Sequence, residues 1–259
     1  MLRKLLTILM FLLAPTVSMA ETVSKAELIR AAEAVFSFVP KDQFEAAPGG
    51  TELSGKSFVI VRDVRVPGGL RRSCLGESTW RYNPNSTRFR FGYGGSALLS
   101  DYKTGGSPII SSTYSSDITA TVFELKCKFT DGGTYTASNS MGAKVTVYTG
   151  VANFIVLAFK TTAFYYGASN VPGIPLAPNA ARKLSKTLRV RITGTVGTWS
   201  NGKTIICGKR THAPTMDIPI KITLDACFIN ARIDRVTFFD SSTGKVLFAE
   251  KPPTKDRRR

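Results

Sequence analysis

The sequence predicts a mainly β protein, an antiparallel β-sandwich or partly closed barrel with one N-terminal amphipathic helix. Three observations carry that expectation. From Gly55 onward, Val, Ile, Thr and aromatic residues recur in short alternating runs, the period of half-buried strands. Turn residues such as PGG, DGG and SSTG separate the runs. No helical crossover stands between successive runs, so neighbouring strands are expected to pair antiparallel.

Residues 1–20, MLRKLLTILMFLLAPTVSMA, have the character of an export signal. Arg3 and Lys4 precede an apolar run, and Ser18 and Ala20 stand at the positions that a signal peptidase reads. The run is shorter than the roughly 20 residues of a spanning helix. The longest later apolar stretch, FIVLAF at 154–159, suits a buried strand. The expectation is a secreted or periplasmic chain cleaved near Ala20, with no transmembrane segment in its mature part. Four cysteines follow, Cys74, Cys127, Cys207 and Cys227, an even number that suggests two disulfides in an oxidising compartment. Spacing leaves three connectivities open. The pairing expected, each bond within one half of the chain, is Cys74–Cys127 and Cys207–Cys227.

Residues 21–54 form a helix and an acidic connector. Ser24 and Glu27 have capping-box spacing, and Leu28, Ile29, Ala32, Val35 and Phe36 follow on one face before Pro40. Such a stripe packs on the body or docks a protein partner. Residues 55–170 read as a β-rich domain. Within it Phe58, Ile60, Val64 and Val66 share one parity, as do Phe123, Leu125, Cys127 and Phe129 before the turn DGG. KVTVYTGV and NFIVLAFKTTAFYY follow as further strands. Residues 171–181, VPGIPLAPNAA, read as a Pro-rich linker to a smaller β-rich domain at 182–250. There Leu188, Val190 and Ile192 alternate with Arg189 and Arg191, MDIPIKITLDA alternates in turn, and RVTFFD and KVLFAE flank SSTG as a hairpin. A basic tail, 251–259, ends the chain.

The chain carries 35 Lys and Arg against 18 Asp and Glu, a formal charge of +17. The excess lies beyond residue 54, since residues 21–54 hold three basic against six acidic residues. Such a field attracts polyanions. The candidate anion-binding residues are Arg182, Lys183, Lys186, Arg189 and Arg191, together with Arg71 and Arg72. In STWRYNPNSTRFRFGYGG the aromatics hold one parity within each run and the arginines the other. A sheet with an apolar inner face and a cationic outer face has that pattern, whereas a stacking platform would place both on one face. Asn85-Ser86-Thr87 within it is a formal glycosylation sequon.

Signals for catalysis are sparse. His212, the only histidine, lies beside Pro214, with Asp217 or Asp225 as groups that could orient it. No serine or cysteine stands in a GxSxG elbow. GYGGS and DYKTGGS are glycine-rich, but no helix follows to hold a phosphate. With no CxxC pair and one histidine, no metal or cofactor is expected. An outer-membrane barrel is disfavoured by the internal cysteines and the Pro-rich connector. No motif identifies a family. The function expected is an exported, non-enzymatic binding or structural protein that contacts an anionic envelope or extracellular component. The alternative is a secreted hydrolase or transferase with a site not evident from sequence.

N-terminal sequencing of exported protein tests the first twenty residues. The mature form is expected to begin near Glu21 and to be about 2 kDa lighter than the full chain. Recovery of an intact Met1 terminus contradicts the signal assignment.

Overall fold

The computed structural model describes residues 21–39, 48–64, 79–92, 95–104, 107–108, 119–160 and 173–251. Residues 1–20, Arg71, Arg72, Cys74 and residues 252–259 of the basic tail lie outside that set.

Strand β1, Thr22–Val23, leads into helix α1, Lys25–Ser37. Ser24 closes a capping box. The Glu27 N–H donates to Ser24 Oγ at 3.2 Å and the Ser24 N–H donates to the Glu27 carboxylate at 2.7 Å. The Ser24 hydroxyl, with its backbone N–H, holds the Glu27 carboxyl below its ordinary range. Leu28 and Ala32 are buried and Ile29, Ala31 and Val35 pack beside them. The apolar stripe is thus spent on the body of the protein rather than held open as a docking face, and only Phe36 keeps substantial exposure.

A 3-10 turn at Thr51–Leu53 precedes β2, Ser57–Asp63. Then come β3, Thr79–Asn83, β4, Arg88–Gly92, and β5, Gly95–Leu98. A 3-10 turn at Leu99–Asp101 is followed by β6, Lys103–Thr104, and β7, Ser107–Pro108. Two long strands follow, β8 at Thr119–Ser138 and β9 at Lys144–Lys160. After β10, Ile174–Pro175, comes helix α2, Pro178–Thr187. The chain closes with β11, Leu188–Val196, β12, Ile205–His212, β13, Ile220–Asp240, and β14, Val246–Glu250.

These strands form a curled, mixed half-barrel of eleven strands and a small sheet ordered β10-β4-β3. The sheet is not purely antiparallel, because β1–β2 and β9–β13 pair in parallel. The reason lies in the connection. Between β9 and β13 the chain passes through β10, α2, β11 and β12, so the crossover is a composite rather than one helix between successive strands. Nor do residues 171–181 separate two cores. Strand β11 pairs with β2 on one side and β13 on the other, and β13 pairs with β9. The Pro-rich segment also supplies the start of α2, with Pro178 where a missing N–H costs nothing.

Strand β13 joins two segments that read as separate strands. Its first half lies between β12 and β9, its second between β11 and β14. Similarly, β8 does not end at DGG. A register shift between Asp131 and Thr134 takes up the two glycines and the ladder continues to Ser138. A second shift leaves Leu125 without a ladder partner and reverses the parity of the residues beyond it. Phe123 and Leu125 therefore join one core cluster while Cys127 and Phe129 pack against the other.

Two apolar clusters cover the two faces. The inner one holds Leu28, Phe58, Ile60, Leu157, Val190, Ile192, Ile229 and Phe238. The outer one holds Tyr102, Phe154, Val156, Trp199, Ile206 and Phe228. Phe154 to Phe159 are buried without interruption because successive residues feed alternate clusters. Tyr102, Phe154 and Phe228 meet edge to face, with ring centroids 5.0–6.1 Å apart.

The curl brings β2 to β8, which share no ladder. Arg62 lies over the Phe123 ring and pairs with the Glu124 carboxylate at 3.4 Å. It also donates to the Glu124 backbone carbonyl. Glu124 is buried and Arg62 part-buried, so water screens the pair little. Cys207 and Cys227 stand opposite each other on β12 and β13 and form the disulfide expected between them. Its sulfur atoms rest 3.9 and 3.6 Å from the Ala32 carbonyl oxygen, beneath α1. Cys127 is disulfide-bonded as well.

Gly194 sits at the register shift where β11 crosses β13. A Cβ there would fall 2.3 Å from the Arg232 carbonyl oxygen and 2.8 Å from the Phe58 ring. Gly194→Ala is expected to destabilise the fold by about 1–3 kcal/mol, the usual cost of overpacking, read as a lower denaturant midpoint.

Burial pushes the Tyr102 phenol up to about 12, with Asp101 adding to the rise and Arg210 opposing it. The folded state holds that proton more tightly than the unfolded chain, whose phenol titrates near 10. Its contribution to stability is complete below pH 10 and is lost as pH rises through about 12. Melting temperatures across that window should fall more steeply for wild type than for Tyr102→Phe.

Candidate functional site

The five-residue basic cluster at 182–191 is divided by the fold. Arg182, Lys183 and Lys186 are exposed on α2, which packs on the inner cluster through Ala181 and Leu184. Leu188, Val190 and Ile192 also point inward, so Arg189 and Arg191 project from the outer face of β11. Arg189 is already engaged. It pairs with Asp63 at 2.7 Å and donates to the Lys186 and Leu188 carbonyls at 3.2 and 3.0 Å. The Arg191 guanidinium lies 4.8 Å above the Phe239 ring. Arg71 and Arg72 fall outside the described residues.

A denser cationic face occurs on the small sheet. Phe89 of β4 is fully buried and stacks on Trp80 of β3 with ring centroids 5.2 Å apart. The Tyr82 hydroxyl donates to the Leu176 carbonyl at 3.1 Å, which ties the hairpin to the segment after β10. The rings thus belong to the core side. Arg81, Arg88 and Arg90 occupy the opposite parity and are exposed. Arg81 and Arg90 are directly opposite in the ladder, a like-charge pairing that destabilises a bare sheet. None of the three has an acidic partner among the described residues. Arg88 does reach the Gly173 carbonyl, at 3.5 Å.

The other feature is a cleft between α1 and the inner face of the main sheet. It encloses about 240 Å3 and is bounded by Glu33 and Phe36 from the helix and by Lys126, Lys128, Asn153, Ile155, Asp225 and Cys227 from the strands. The sheet registers Lys128, Asn153, Asp225 and Lys209 in one row across β8, β9, β13 and β12. Glu33 and Lys126 form an ion pair at the rim. Asp225 is 9% exposed, and its enclosed Oδ1 has no hydrogen-bond partner among the described residues. Its only ion-pair partner among them is the Lys209 ammonium, 3.7 Å from Oδ1 and beyond hydrogen-bonding reach.

His212 does not join this site. It is exposed at the end of β12, opposite Ile222, three positions from Lys209, which faces Asp225. The odd spacing puts His212 and Asp225 on opposite faces of the sheet, so Asp225 does not orient it. Asp217 is exposed in the segment that precedes β13. No group of three metal-ligating side chains occurs among the described residues.

Sequence patterning missed the cleft because its walls come from four distant segments. The one local signal was Asp225 itself, an acid inside the apolar run LDACFI. No protein-family model matches the chain, and no curated protein or solved structure matches it.

Proposed function

We propose that the protein is an exported, non-enzymatic binding or structural protein that contacts an anionic polymer of the envelope or extracellular space. The observation that carries this reading is the arginine face of the small sheet. Arg81 and Arg90 repel across the ladder with Arg88 on the same side, and a bound polyanion turns that repulsion into attraction. The surplus of basic over acidic residues supplies the long-range field that draws such a partner in. Arg182, Lys183, Lys186 and Arg191 extend the charged surface, whereas Arg189 is committed to Asp63. The Cys207–Cys227 disulfide supports an oxidising compartment.

Binding isotherms with duplex DNA as a polyanion probe, taken at several salt concentrations, test the reading. Wild-type affinity should fall steeply with salt. Arg81→Gln with Arg90→Gln should reduce the slope by about two, close to one for each lost contact. Both side chains face solvent, so melting temperature should hold or rise. A double variant that binds like wild type refutes the arginine face as the site.

A further inference from the structure

We infer that the cleft between α1 and the sheet binds a small zwitterion of amino-acid type, with its ammonium on Asp225 and its carboxylate on Lys128. Asp225 is nine-tenths buried, its enclosed Oδ1 has no hydrogen-bond partner among the described residues, a costly state, and the residue borders an open cleft. Lys209 gives it a charge partner at 3.7 Å but no hydrogen bond, and the Lys209 side chain is two-thirds exposed to water. No donor among the described residues therefore reaches Oδ1.

The other end has the opposite need. Lys128 is exposed, stands on β8 on the far side of Asn153 from Asp225, and has no acidic partner among the described residues. With strands about 4.8 Å apart, the two backbones are separated by roughly 10 Å, a gap that the long lysine side chain shortens. A ligand carrying both charges answers both groups at once. A simple anion would leave Asp225 unpaired and meet its repulsion. A bare dication would meet Lys126, Lys128 and Lys209 around the same carboxylate. Phe36 and Ile155 give the ligand an apolar wall, and Cys227 adds the edge of the disulfide. The volume of about 240 Å3 is below the roughly 300–1,000 Å3 of pockets for drug-sized ligands, so the occupant is small.

Titration calorimetry on the mature chain, with the standard amino acids and dialanine as probes, tests the site. At least one neutral zwitterion should bind. Its N-acetylated form, which lacks the ammonium, should lose binding, and its amidated form should bind about tenfold more weakly or worse. Asp225→Asn should abolish binding while keeping or raising the melting temperature, because it removes a buried charge whose Oδ1 has no hydrogen-bond partner among the described residues. Lys128→Met should weaken binding about tenfold or more. The variant Arg81→Gln with Arg90→Gln should bind the zwitterion like wild type, which separates this site from the arginine face. If no probe binds, or if the N-acetylated form or Asp225→Asn binds as well as the parent, the inference is overturned. The acetylated and amidated probes read on wild type alone, so the test stands even where a variant fails to fold.

Discussion

Backbone pairing along β13 is the constraint on which the rest of the structure depends. One strand, Ile220–Asp240, supplies ladder partners to β9, β11, β12 and β14. Because β11 and β12 lie end to end along one side, the intervening loop must leave and rejoin the sheet. Asn230 manages that break by donating to the Thr198 carbonyl at 3.0 Å, while its own backbone N–H bonds to the Thr204 carbonyl at 2.9 Å. The curl follows from the same arrangement. Two short ladders diverge from one twisted strand, and β2 and β8 come round to meet at Arg62 and Glu124.

Charge is distributed with the same economy. Acidic side chains are fewer than basic ones, and several of them tie together elements that share no ladder. Glu33 joins α1 to β8, Asp101 joins a 3-10 turn to Arg210 of β12, and Glu124 joins β8 to β2. The basic residues left over have few acids to meet. They include Arg81, Arg88 and Arg90 on the small sheet and Arg182, Lys183 and Lys186 on α2, where solvent screens them. Asp225 is the exception, an acid held on the inner face with a lysine too distant to hydrogen-bond it.

Local pattern made part of this legible. Parity alone placed the rings of TWRY and TRFRF inward and the arginines outward, as Phe89 and Arg90 show. FIVLAF read as a buried strand, and the SSTG hairpin joins β13 to β14, with Asp240 accepting from the Ser242 N–H at 2.9 Å. What pattern could not convey was anything that breaks the period without a turn. The bulged Leu125 and the glycines after Asp131 bend β8 and change which face a residue serves, yet both look like ordinary strand or turn residues. Helix α2 was hidden by the prolines before and at its start and by its lysines, and only the buried pair Ala181 and Leu184 marks its inner side. The cleft was out of reach for a different reason. Lys128 and Asn153 meet in the β8–β9 hairpin, but Asp225 joins them only through the parallel pairing of β9 with β13, and no local signal specifies a partner so far along the chain.

That parallel pairing also orders events in time. As the chain emerges from its N-terminus, β8 and β9 can zip together as a hairpin at once. The other edge of β9 has no mate until Ile220–Asn230 has been made, and β2 must wait for Leu188–Val196. Until then Phe154–Phe159 presents an unpaired edge with apolar side chains on both faces, the kind of surface that recruits other chains. A topology rich in distant contacts closes slowly. The interval between synthesis of β9 and arrival of β13 is therefore when this chain is most exposed to aggregation.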